Sequence, residues 1–150
     1  MRQVSVNISN SQFAGFWIRA TALLVDLLII LIPSFMIHSI FLGIIYSSTM
    51  LNQELVSMLD ATLSVAICWI YFATLQSSSW QATVGKKTLG IKVVDKNGGR
   101  ISFGTATVRY FGKSLSGIIF CIGYMMAGWT KKKQGLHDMI ASTYVVKETR

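Results

Sequence analysis

Residues 13–33 read FAGFWIRATALLVDLLIILIP. The run opens like a membrane-spanning helix, yet it carries Arg19 near one end and Asp26 near its middle. A span needs about 20 mostly apolar residues. Here the apolar pattern continues past Pro33, which is expected to kink the helix, and the first span is read as about 16–46. Phe16 and Trp17 stand at its entry, where an aromatic belt belongs.

Composition points the same way. Of the 150 residues, 52% are hydrophobic and 13% charged, with a mean hydropathy of +0.52. That is too apolar for a soluble domain of this length and indicates an integral membrane protein. No linker or low-complexity segment divides the chain, so residues 1–150 are read as one membrane domain. No internal repeat is present, so an inverted-repeat transporter would need two copies. The formal net charge is +8. The bases cluster beside apolar segments, which suits anionic lipid headgroups and topology setting; no basic stripe with interleaved aromatics points to nucleic acid. Cys68 and Cys121 sit in apolar runs and read as small core fillers. Residues 1–12 are polar, and the first apolar run is too long for a signal-peptide core, so it is expected to remain as an anchor.

A second span is read at about 55–75, with Trp69, Tyr71 and Phe72 at its far end. The polar loop 47–54 precedes it. IKVV (91–94) and RISF (100–103) flank Asp95-Lys96-Asn97-Gly98-Gly99, which predicts a β-hairpin over about 91–103. STYVVK (142–147) has strand composition and is expected to join that hairpin, because two strands alone are marginal in water. Residues 104–129 form a third helical segment. Its first half is amphipathic, with Arg109 and Lys113 one turn apart, and its second half is apolar and glycine-containing. The fold class is therefore an all-α membrane protein: two transmembrane helices, a third amphipathic segment that is either re-entrant or spanning, and a small cytoplasmic β-hairpin or sheet.

Residues 76–105 and residues 130–150 each hold five Lys or Arg, whereas the 47–54 loop holds none. The positive-inside rule puts the N-terminus and the 76–105 loop in the cytoplasm of a bacterial inner membrane. A full crossing by 104–129 would strand Lys131-Lys132-Lys133 and the last strand on the other side. A segment that lies along the interface, or dips and returns, avoids this and is favoured.

Arg19 and Asp26 lie about 10 Å apart along one helix face. They do not pair, because helical side chains lean toward the helix N-terminus, so Arg19 snorkels away from Asp26. A charge at mid-membrane costs at least ~2.5–3.5 kcal/mol, so each needs a partner. Arg109 or Lys113 is expected to face Asp26 across a helix interface, and Asp138 to meet Arg19. Asp60 is read as a secondary site near the outer headgroups, and His38 as interfacial. His137-Asp138 offers too few ligands for zinc, and no nucleophile or catalytic pairing indicates an enzyme. Gly85-Lys86-Lys87-Thr88 lacks the spacing of a phosphate loop. No metal and no cofactor is expected.

AGFWIRATALLVDLL, WQATVGKKTLGIKVVDKNGGRISF, VRYFGKSLS and KKKQGLHDMIASTYVV together resemble the RDD family of small membrane proteins, over about residues 14–146. The family is named for one Arg and two Asp, matched here by Arg19, Asp26 and Asp138. The resemblance implies transport of an unidentified ligand, with cation/proton exchange discussed for some members. The expectation is a small transporter or ion-translocating subunit, homo-oligomeric because two or three spans enclose no pathway alone. The rival is an accessory protein that binds and regulates another membrane protein. The charge network Arg19, Asp26, Asp138, Arg109 and Lys113, with His137 secondary, is its candidate site.

Overall fold

A computed structural model describes residues 12–47, 52–118 and 122–148. Cys121 and residues 48–51 of the 47–54 loop lie outside the described residues. Two long helices dominate, α1 (Phe16–Ser47) and α2 (Gln53–Ser77). Asn52 starts α2 by accepting the Leu55 N–H at 2.8 Å, the expected N-cap role. The helices are antiparallel: Tyr71 reaches Asp26 near one end, and His38 reaches Ser64 further along. Both are long and apolar enough to cross a membrane. The apolar side chains of α1 face outward, with Leu28, Ile32 and Phe35 each more than 65% exposed. Such a surface is untenable in water and suits lipid.

The other elements gather at the end of the pair formed by the start of α1 and the finish of α2. They are α3 (Val84–Thr88), β1 (Ile91–Asp95), α4 (Phe103–Ile118), α5 (Ile122–Trp129), α6 (Leu136–Ile140) and β2 (Thr143–Lys147). β1 and β2 are antiparallel, with Val93 opposite Val145. Residues 12–14 extend the sheet on the other side of β2: Phe13 bridges Val146, and the Ala14 N–H donates to the Val145 carbonyl. Ile91, Val93 and Val145 pack with Ala14, Ala22, Ile101 and Ala106 in the main core.

The expected hairpin is corrected. The turn forms, with the Asp95 carboxylate accepting the Asn97 and Gly99 N–H groups at 2.8 and 2.7 Å. The chain then leaves the sheet. Arg100 donates to the Ser77 carbonyl, Ile101 is buried, and Ser102 accepts the Thr105 N–H at 3.1 Å. A serine that caps a helix outweighs the β propensity of its neighbours. RISF is therefore the entry to α4, and β1 takes the C-terminal strand instead.

The segment read as 104–129 is two helices, α4 and α5, that leave and return to one end of the α1–α2 pair. Arg100 touches Ser77 at its start; after its finish, the Lys133 carbonyl accepts from Arg19 at 2.5 Å.

Candidate functional site

Asp138, on the short helix α6, is fully buried. One carboxylate oxygen accepts from Arg19 and the Gly135 N–H, the other from Arg109. Arg19 also donates to the Ala14 carbonyl at 2.9 Å, and Arg109 to Gln76 at 2.5 Å. The ion triad thus ties α1, α4, α6 and the end of α2 together. Burial alone would raise the Asp138 carboxyl, but the Arg109 and Arg19 guanidinium groups hold it well below the usual carboxylate range. His137 is buried beside it, and burial with the adjacent cations pushes its imidazole down to about 3 despite the Asp138 charge. His137 is neutral at pH 7.

Asp26 is equally buried, but its partners are not the expected Arg109 or Lys113. One oxygen accepts from the Tyr71 hydroxyl at 2.8 Å and the Gly85 N–H at 2.7 Å; the other accepts from the Thr83 hydroxyl at 2.5 Å. Thr83 and Gly85 open α3, so the carboxylate of α1 sits on the first turn of another helix. Neutral donors and the unpaired N–H groups of that turn stabilise the charge. The approach is close enough that a Cβ on Gly85 would lie 2.2 Å from the Ala22 carbonyl oxygen.

Beside Asp26, and beside the two arginines that hold Asp138, lies a cavity of about 630 Å³. Arg19, Lys86, Arg109, Lys113 and His137 line it together with Asp26; Leu23, Phe72 and Met125 are among its apolar walls. Lys113 lies over the Phe72 ring, 4.4 Å from its centroid. Lys86 was not singled out by the sequence; its signal was the first lysine of a pair, directly after Gly85 and three residues past Thr83. Burial, with Arg109 and Lys113 nearby, pulls its ammonium well below the ordinary lysine range. Among the described residues, no group of three or more His, Cys, Asp or Glu side chains could hold a metal ion.

Asp60 and His38 lie apart from the cavity, further along α1 and α2. His38 Nε2 is 2.8 Å from the Ser64 hydroxyl and 3.5 Å from Asp60 Oδ1. At that separation the Asp60 oxygen, though buried, has no hydrogen bond among the described residues.

The family model described as RDD family matches residues 13–142. The uncharacterized protein YxaI of Bacillus subtilis is 40% identical over 146 residues, covering 89% of this chain and 96% of that protein. The same organism's uncharacterized protein YckC is 27% identical, covering 91% of this chain and 85% of YckC. Its uncharacterized membrane protein YteJ is 28% identical, covering 91% of this chain and 82% of YteJ. No solved structure matches. With the match running from the start of the sheet to the edge of β2, the chain belongs to the RDD family of membrane proteins.

Proposed function

We propose that this protein is a small membrane transporter, or the translocating subunit of one, with the cavity as its ligand site. One observation carries the reading. A cavity large enough for a small molecule, about 630 Å³, sets charged side chains into a mainly apolar lining where the two candidate spans meet the polar part of the fold. A simple anchor has no need of it. Cation/proton exchange has little support from this site. Asp26 is occupied by three donors and Asp138 by two guanidinium groups, so neither carboxylate is free to hold a cation. The proposal places the sheet end in the cytoplasm of a bacterial inner membrane, where the Lys and Arg excess belongs. It also assigns a homo-oligomer, because two spans enclose no pathway alone.

The test is flux of Na⁺, K⁺, protons and phosphate in proteoliposomes, wild type against Leu23→Trp. Leu23 lines the cavity and carries no charge, so the indole blocks the space and leaves the ion triad alone. Flux in the wild type that falls in a well-folded Leu23→Trp protein supports the reading. No wild-type flux under any gradient refutes it and leaves the accessory, partner-regulating role.

A further inference from the structure

The cavity has a charge surplus that the fold does not resolve. Four cationic side chains, Arg19, Lys86, Arg109 and Lys113, face two carboxylates, Asp26 and Asp138. Both carboxylates are already engaged. Lys86 is 8% exposed, and among the described residues it has no hydrogen bond and no ion pair. Among the described residues the Lys113 ammonium has only the Phe72 ring, and Arg109 Nε is buried with no acceptor. A buried donor left without a partner costs free energy, and a buried unpaired charge costs more. All three side chains line one space; Lys86 and Lys113 lack an anionic oxygen, and Arg109, already on Asp138, lacks an acceptor at Nε alone.

We infer that the cavity is a binding site for an oxyanion, a phosphate or carboxylate group held by Lys86, Lys113 and Arg109. The inference rests on the cavity being the ligand site of the proposed transporter and names the ligand's class. The walls speak to how the anion is carried. Leu23 and Met125 are 37% and 45% exposed, and they line the cavity with Phe16 and Ala20. Their outward side is continuous with the apolar surface of α1. A lipid headgroup could enter there with its chains left among the apolar side chains, and a free anion would use the same basic group of residues. The shared chemistry is the oxyanion.

The experiment measures equilibrium binding, separately from flux. The purified protein in nanodiscs of zwitterionic lipid is titrated with inorganic phosphate, and in parallel is placed in nanodiscs of rising phosphatidylglycerol content. Binding is read by thermal unfolding midpoint and by native mass spectrometry. The probe should raise the wild-type midpoint, and Lys86→Gln with Lys113→Gln should weaken binding by about tenfold or more, one charged hydrogen bond being worth roughly that factor. An effect from phosphate in zwitterionic discs identifies a free anion; one from phosphatidylglycerol alone identifies a headgroup. Without probe, the double variant should melt close to the wild type, because it removes the buried, unpaired Lys86 ammonium and, at Lys113, only a ring contact with Phe72. A single Lys86→Met variant repeats the test should the double variant fail to fold. No response of the wild type to either probe, or equal responses in wild type and variants, would overturn the site. Binding without flux would keep the oxyanion site and remove the transport reading.

Discussion

Gly85→Ala should be one of the most damaging conservative changes in the chain. The new Cβ would lie 2.2 Å from the Ala22 carbonyl oxygen, 2.9 Å from Asp26 Cγ and 3.0 Å from the Asp26 nitrogen. Two of these are backbone atoms of α1, so no side-chain rotation relieves the contact and α3 must move away. Overpacking of this kind costs about 1–3 kcal/mol. The shift also stretches the Gly85 and Thr83 hydrogen bonds to a buried carboxylate, each worth about 1.5–3 kcal/mol. The total is roughly 3–5 kcal/mol, or on the order of 10 °C in the unfolding midpoint for a chain of this size. Gly43→Ala is the control, because nothing lies within 4 Å of its Cβ position. On α1 it should gain up to about 1 kcal/mol of helix propensity. The assay is thermal unfolding of both variants in one detergent, with elution profiles before heating. Equal midpoints for Gly85→Ala and wild type would refute the close α1–α3 contact, and with it the account of how Asp26 is held.

Asp26→Asn keeps an acceptor for the Gly85 N–H and should cost less than Gly85→Ala; in a charge-swapped pair, Asp26→Lys should not be rescued by Arg109→Asp or Lys113→Asp, and a recovered melting midpoint would restore the pairing rejected above. Asp138→Asn leaves Arg19 and Arg109 buried without a counter-charge and should cost roughly 3–5 kcal/mol; a double-mutant cycle with Arg109→Met should show strong coupling, and additive losses would argue against the triad. Acid should unfold the protein early. His137 binds a proton near pH 6.5 when unfolded but only near about 3 when folded, so its contribution, on the order of 3–5 kcal/mol, is lost as pH falls through that window. Asp138, held low by its arginines, adds a loss in the same direction once pH falls through the usual carboxylate range; a flat melting profile from pH 7 to 4 would contradict the His137 account, and one with no further fall below pH 4 the Asp138 account. In a cysteine-free background, Lys92→Cys with Val146→Cys should form a disulfide, since these residues are register partners, and Lys92→Cys with Ser102→Cys should not.

What could be read from the sequence follows the strength of each physical signal. The two long apolar helices are legible from length and composition alone, and the Arg19–Asp138 contact follows from the lean of a helical arginine toward the surface where Asp138 lies. The partners of Asp26 were not legible. They are a hydroxyl, a phenol and a backbone N–H, none of which advertises itself as a counter-charge in a sequence. The available clue was Thr83 followed by a small Gly85, a helix start that another element could approach closely. RISF misled because Ile and Phe suggest a strand, and the deciding residue was Ser102. Lys86 and Lys87 looked alike as loop bases. Only the fold separates them, placing Lys87 against Glu148 at the surface and Lys86 inside.

The Arg and two Asp that define the family therefore do not act as one network here. Arg19 and Asp138 join α1 to α6, with Arg109 as a second guanidinium on the same carboxylate. Asp26 belongs to a separate contact that holds α3 against α1. A direct Asp26–Arg109 pair would have used Arg109 and left Asp138 with one guanidinium; neutral donors on Asp26 leave both arginines on Asp138. The result is two carboxylates with separate sets of donors, and a cavity lined by Asp26 and by two lysines that have no ion pair among the described residues. Loss of flux in Asp26→Asn would then be ambiguous, since the substitution loosens the wall on which Lys86 stands. Leu23→Trp and the lysine variants are the informative changes, because they alter the space and its charge while the contacts that assemble it stay in place.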